Sequence, residues 1–385
     1  MHSLSKSCPF SILGTIKEIS GLPGLPLPAF YPVYPSKDQM ADYYDACSSF
    51  FNVRTNTYVT SASYDPEAKQ WTVRTRATKV TAAAQGVPSS ASAPVLSASS
   101  SEQAGEVDIG EPTLEVFTSK ALIVCTGSNG EPLMPDIPGR DQFTGQVLHA
   151  SEYKNGKEFS EKKVLVVGAD TTGAEIALDL WEYDARVGLV ASTPGVILRR
   201  ALIRPLLLFY PLSRLIPRVI RRRVYDVMAP YVLGKLSDYN LQLASLHKLR
   251  KTDPLPPIWL DVGTLDLVRQ RDITVFNKDI STFIPNGVIF KDGREELFDA
   301  VILNTGFKKA SFKTFLEPDV SKAGKDPFTG GRPSRQFGEL IPLEGVEIAK
   351  KALYFVGISD AFFKLREDHY TCEQVHNDLT FKKYV

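Results

Sequence analysis

The residues of this chain with the clearest capacity for chemistry lie in the run KKVLVVGADTTGAEIALDLWE, from Lys162 to Glu182. Gly168, Asp170, Thr171, Thr172 and Gly173 stand there between a β-branched apolar stretch, Val164–Val167, and a stretch whose apolar residues recur at helical spacing. A strand that ends in a glycine turn and feeds a helix aims free N–H groups and a positive dipole end at whatever sits before the helix. The ligand that suits this arrangement is the pyrophosphate of a dinucleotide. One residue opposes it. Asp170 stands where the usual G-x-G-x-x-G has its middle glycine, adding bulk and a like charge where a phosphate would approach.

These residues need a strand and a helix to hold them. Val164–Val167 reads as a strand buried on both faces. Gly173, Ile176, Ala177, Leu180 and Trp181 predict a helix with one face on a sheet. Upstream, residues 21–37 are rich in Pro and Gly and read as loop, and Asp38–Phe51 has helical spacing at Met40, Tyr43, Tyr44 and Cys47. Strands are expected at Thr57–Tyr64 and Trp71–Thr75, joined at Asp65-Pro66, and at Leu114–Phe117 and Ala121–Val124. Between them, Thr81–Gly110 collapses to mostly Ala, Ser, Pro and Gly, the composition of a disordered loop. Downstream, Arg186–Ala191, Ile273–Phe276, Val288–Lys291, Phe298–Leu303 and the LYFVG of Leu353–Gly357 read as strands, and Val262–Arg271 as a helix.

Alternating strands and helices predict α/β layering. Two strands end in Thr-Gly, at Thr126-Gly127 and Thr305-Gly306, and bracket the nucleotide-binding unit, so one domain is expected to be inserted in another. The expected division is 1–150, 151–308 and 309–385.

Composition narrows the partners. A net charge of +1 gives no electrostatic footprint for nucleic acid. Cys8, Cys47, Cys125 and Cys372 form no C-x-x-C pair, which argues against a disulfide reductase and a zinc ribbon. His369, Cys372 and His376 share helical spacing, yet no fourth ligand is indicated and no metal is expected. The first residues lack a sustained apolar stretch, so a cytoplasmic location is expected. Residues 197–235 carry eight arginines between short apolar runs, a pattern that suits either a solvated helical excursion or peripheral contact with an anionic membrane.

FTGQVLHASEY, from Phe143 to Tyr153, resembles the FxGxxxHxxx[YF] signature of flavin-dependent monooxygenases of the N-hydroxylating, FMO and plant YUCCA type, with Phe143, Gly145, His149 and Tyr153 on its four fixed positions. YPSKDQMADYY is similar to the YPSKxQFxxYL of the YUCCA type, and CTGSNGEPLMPDIPG to its ATG-x-N-x-EP-x-x-PDIPG. LDVGTL at Leu260–Leu265 matches, and FDAVILNTGF at Phe298–Phe307 resembles FDAIILATGY. The resemblance implies a two-dinucleotide-binding-domain flavoprotein, with an NADP-type Rossmann domain inserted into an FAD-type domain. It implies FAD and NADPH as cofactors, and O₂ and a small organic molecule as substrates, oxygenated through a flavin hydroperoxide. It also implies that Thr126, Gly127, Asn129, Thr305 and Gly306 lie against the cofactors.

The chain departs from this pattern in three places. No glycine turn for FAD precedes Leu25, so the FAD-type domain is expected to be incomplete at its N-terminus. Asp170 replaces a glycine. Ser192 stands where the family commonly places an arginine for the 2′-phosphate, and Arg199 and Arg200 could serve only if the following loop folds back. Two other readings stay open: a catalytically inactive remnant or partner subunit, and another NAD(P)H reductase with two dinucleotide folds.

Overall fold

The first elements of the computed structural model are a single helical turn, α1 (Lys17–Ser20), and helix α2 (Lys37–Ser48). The described residues are 16–22, 24–65, 67–77, 114–126, 129–208, 216–249, 256–308 and 353–355. Ser36 opens α2 with a capping box, its hydroxyl accepting from Gln39 N at 3.1 Å while its own N–H donates to the Gln39 side chain at 2.9 Å. Met40, Tyr43 and Cys47 form the buried face, against Leu27 and Tyr31. The helix stops three residues short of the expected Phe51, and Tyr44 is only half-buried.

The chain divides into two compact units. One holds the described residues of Phe51–Glu131 and Lys308–Val385, the other those of Met1–Phe50 and Pro132–Phe307. In the former, β1 (Thr57–Asp65), β2 (Gln70–Ala77) and β3 (Leu114–Ser119) form an antiparallel sheet in that order, followed by the short β4 (Leu122–Val124). The low-complexity stretch Thr81–Gly110 and the His369, Cys372 and His376 group lie outside the described residues.

The unit containing Pro132–Phe307 carries the rest in chain order. Its elements are β5 (Gln146–His149), β6 (Lys163–Val167), α3 (Thr171–Glu182), β7 (Arg186–Val190), β8 (Val196–Arg199), α4 (Ile203–Leu208), α5 (Arg218–Leu233), β9 (Ile258–Asp261), α6 (Thr264–Gln270), β10 (Ile273–Phe276), β11 (Ile280–Ile284), β12 (Gly287–Phe290), β13 (Glu295–Leu297) and β14 (Ala300–Leu303). In the other unit the remaining strand, β15 (Leu353–Phe355), pairs in parallel with β4.

Five of these strands make one parallel sheet in the order β10-β7-β6-β14-β5. The period of two along each strand divides its side chains between two cores. Val164 and Val166 of β6, Ala300 and Ile302 of β14, and Val187 and Leu189 of β7 face a core shared with α3 and α6. Leu165, Val190, Val301 and Leu303 face a second core, made with Phe283, Val288 and Phe290 of the β11–β12–β13 meander. The sheet is thus buried on both sides. Gly188 of β7 has no side chain because a Cβ there would lie 2.9 Å from the Phe276 ring and 3.1 Å from Leu165.

On α3, Gly173, Ile176, Ala177 and Leu180 are buried as their spacing predicts. Trp181 is not on that face: it is 38% exposed, because the stripe turns away one residue earlier. α6 begins at Thr264 rather than Val262. Gly263 has φ +132°, and the Asp261 carboxylate caps the turn by accepting from Gly263 N at 3.2 Å and Leu265 N at 2.9 Å. The parallel pair β8–β9 is an addition that periodicity did not reveal.

Candidate functional site

At the C-terminal end of β6 the chain turns sharply into α3. Gly168 takes φ +112°, and a Cβ there would lie 2.3 Å from the Asn304 carbonyl oxygen. At Gly173 a Cβ would lie 1.8 Å from the Gly168 carbonyl oxygen. Gly168 is therefore demanded by the close approach of Asn304, and Gly173 by that of strand and helix.

Asp170 is the N-cap of α3. Its Oδ1 accepts from Gly173 N at 3.0 Å and from Asn304 Nδ2 at 2.6 Å. Asn304 stands just past the end of β14, and its Nδ2 also lies 3.3 Å from the Gly168 carbonyl oxygen. The chain thus places its own carboxylate at the positive end of the helix, the position an anionic ligand would seek. The N–H groups of Thr171 and Thr172, in the first turn, have no intrahelical acceptor. Thr171 also pins the helix to β9: its hydroxyl donates to Ile258 O at 2.9 Å and accepts from Leu260 N at 3.0 Å.

The loop after β7 does turn back. It forms β8, which pairs with β9 and brings Arg200 into electrostatic range of Glu175 on α3. The Arg200 guanidinium lies 3.8 Å over the Tyr34 ring, and Tyr34 donates to the Arg200 carbonyl at 2.7 Å. Burial holds the guanidinium below its ordinary pKa. Burial likewise pushes the Glu175 carboxyl up to about 7, Arg200 opposing the shift and Asp170 adding to it. Arg199 is engaged elsewhere, donating to Asp266 at 3.1 Å. Ser192 is exposed just after β7 and hydrogen-bonds Asp279, whose carboxyl is held below the usual range by Lys291 first and then by Ser192.

The four signature residues lie in and around the segment that enters this unit. Phe143 is buried against Phe283, ring centroids 5.4 Å apart. A Cβ on Gly145 would lie 2.3 Å from Asp299 O and 2.5 Å from the Phe143 ring. His149, 1% exposed at the end of β5, bonds Gly306 O through Nε2 at 2.9 Å and Ser151 through Nδ1 at 2.8 Å. A carbonyl can only accept, so Nε2 carries the hydrogen. Tyr153, also buried, donates to Asp179 on α3 at 2.6 Å, and Asp179 in turn accepts from Gly156 N at 2.7 Å. Burial first, then Asp179, pushes the Tyr153 phenol far above its ordinary range. Every polar atom named here is met inside the chain, so the signature ties its segment to α3 and to the end of β14.

Thr305 and Gly306 belong to the same network. The Thr305 hydroxyl donates to Leu133 O at 2.6 Å, and Gly306, at φ +80°, accepts from Leu133 N at 3.0 Å. In the other unit, Thr126 and Asn129 are exposed just after β4, and Gly127 lies outside the described residues. Sequence reasoning passed over Asn304, Glu175 and Tyr34. A signal for Asn304 was present in the asparagine of NTG, where the resembled motif has alanine.

A family model described as flavin-binding monooxygenase-like matches residues 97–328. Among curated proteins, indole-3-pyruvate monooxygenase YUCCA4 of Oryza sativa subsp. japonica is 35% identical over 300 residues, 76% of this chain and 62% of the relative. YUCCA1 of the same plant is 31% identical over 349 residues, 89% of this chain and 74% of the relative. The chain thus spans less than two thirds of the first relative and about three quarters of the second. Among solved structures, a flavin-containing monooxygenase from Stenotrophomonas maltophilia aligns with a TM-score of 0.60 at 18% identity, over 99% of this chain and 88% of that one. An open cyclohexanone monooxygenase aligns with a TM-score of 0.59 at 14% identity, over 97% and 79%. Likeness of this kind establishes the fold, that of a flavoprotein with two dinucleotide-binding domains.

Proposed function

Because the chain belongs to the flavin-binding monooxygenase-like family, we propose that it acts in an FAD- and NADPH-dependent monooxygenase that transfers one oxygen atom from O₂ to a small organic substrate. The observation that carries this reading is the strand–turn–helix of β6 and α3. There Gly168 makes the tight turn and Gly173 the close helix–strand packing with which a dinucleotide-binding unit opens. FAD would supply the oxygen chemistry after accepting a hydride from NADPH.

The residues present fit NADPH in their backbone. The N–H groups of Thr171 and Thr172 would hold the pyrophosphate, and Ser192 would stand near the ribose, with Arg200, which stacks on Tyr34, proposed as the cation in place of an arginine at that position. The Asp170 carboxylate would share the end of the helix with the phosphate and weaken its binding. Thr126, Gly127 and Asn129 are proposed to lie against FAD, and Thr305 and Gly306 against the cofactors. Phe143, Gly145, His149 and Tyr153 would hold the linking segment rather than touch a reacting atom. The proposed domain division is 1–150, 151–308 and 309–385. No described helix is long and apolar enough to cross a membrane, and any membrane contact is proposed as peripheral, along 197–235.

The names of the relatives make indole-3-pyruvate the first substrate to test. Purified protein supplied with FAD, NADPH and isotopically labelled O₂ should yield product carrying one labelled oxygen per NADPH consumed. NADPH oxidation that never places label in any organic acceptor would overturn the proposal in favour of a reductase. A second reading, a non-catalytic partner subunit, draws on the Asp170 cap; it predicts no NADPH binding even after FAD is supplied.

A further inference from the structure

Resting on the peripheral membrane contact proposed for 197–235, we infer that α5 is a lipid-binding helix, which lies flat on an anionic membrane surface with its outer apolar stripe in the headgroup layer. One face of α5 is fastened to the unit. Ala229 and Leu233 are buried, and the Tyr225 hydroxyl accepts from Ile197 N at 3.1 Å. Arg222 donates to Leu249 O at 3.0 Å, and Asp226 accepts from Leu246 N at 2.8 Å and pairs with His247. At about 100° per residue, the face opposite this one is formed by Ile220, Val224, Val227, Met228 and Tyr231. All five are at least half exposed, from 50% for Ile220 to 84% for Tyr231. They follow the i, i+4, i+7, i+8, i+11 spacing of a continuous stripe. A stripe of this kind on one helix marks a docking surface rather than scattered surface residues.

Charge decides the occupant. On the helical wheel, Arg223 borders one side of the stripe and Arg221 the other. Asp226 is the one acidic residue of the helix, and it is turned inward to His247. A second copy packed stripe to stripe would set these arginines against each other with no carboxylate from α5 between them. Anionic headgroups complement them while the apolar side chains enter the acyl boundary. Sixteen residues span about 24 Å, so the helix rests on the surface over its length.

The test is flotation of the full-length protein with vesicles of phosphatidylcholine alone or mixed with phosphatidylserine. Three proteins are compared: wild type, a charge variant (Arg221→Gln with Arg223→Gln) and a stripe variant (Val224→Ser, Val227→Ser and Tyr231→Ser). All five positions are at the surface or half-buried, and circular dichroism checks that each variant folds. Wild type should float with the mixed vesicles and not with phosphatidylcholine alone. Each arginine near an anionic surface is worth about a fivefold change in partitioning, so the charge variant should bind about thirtyfold more weakly. The stripe variant should not float. Equal flotation of the folded stripe variant would overturn the assignment, as would no flotation of wild type. So would a wild-type dimer, formed without vesicles, that the stripe variant abolishes, since it would make a second copy the occupant.

Discussion

Asn304, at the end of β14, donates a hydrogen bond of 2.6 Å to Asp170 at the start of α3, joining two residues 134 positions apart in sequence. The bond holds a carboxylate over the helix end that a pyrophosphate would occupy. Replacing Asp170→Gly removes that charge and keeps a residue type tolerated at N-caps. NADPH binding measured by calorimetry should tighten, by about tenfold or more, since one like-charge contact at surface-like dielectric is worth up to a few kcal/mol. Unchanged or weaker affinity would show that phosphate does not approach this turn. The Asp170→Gly and Asn304→Ala substitutions should be non-additive by about 0.5–3 kcal/mol in unfolding, as expected for residues in one network.

Gly173 tests the packing beneath that cap. A Cβ there would sit 1.8 Å from a carbonyl oxygen that cannot move without parting β6 from α3. Gly173→Ala should cost at least the ~1–3 kcal/mol of core overpacking, read as a lower denaturation midpoint. An unchanged midpoint would mean the turn is looser than described.

Glu175 gives the unit a pH dependence. Its carboxyl is raised from 4.5 to about 7, so the folded state binds more protons than the unfolded chain across that window. Stability should therefore fall as pH rises from about 4.5 to about 7 and level off above. The loss is at most about 3.5 kcal/mol, given about 1.4 kcal/mol per pH unit. Glu175→Gln should flatten this part of the profile. A wild-type profile that rises through the same window, and is unaltered by the substitution, would contradict the assignment.

Tyr153→Phe removes the phenol that donates to Asp179 and leaves that carboxylate with the Gly156 N–H. The expected cost is about 1–3 kcal/mol of stability, with NADPH affinity unchanged. A folded variant of normal stability that loses NADPH binding would instead make Tyr153 part of the binding site.

The sheet was legible because its strands are buried on both faces. Val164–Val167 is an apolar run that only a covered strand needs, and Ile273–Phe276, which matches β10 residue for residue, is buried at every position but Thr274. The glycine turn was legible because Gly168 and Gly173 answer to backbone geometry. Ranges were less so at caps: α6 waits for Gly263 and the Asp261 carboxylate, which no periodicity reports. The Asp170–Asn304 bond was legible only as two separate departures from a motif, because a side-chain contact over 134 residues depends on β14 lying beside β6. The role of Asp170 changed accordingly. The sequence presented it as a charge beside a phosphate, and the structure makes it the cap of its own helix.

Reduction of a flavin held by this protein, by NADPH bound at the start of α3, is the step on which the proposed function rests. Its most direct test is anaerobic addition of NADPH to protein loaded with FAD, followed by the flavin absorption band. The band should bleach, and bleach at lower NADPH concentration in the Asp170→Gly variant than in wild type. A band that stays unbleached in both proteins, with FAD demonstrably bound, would contradict the account.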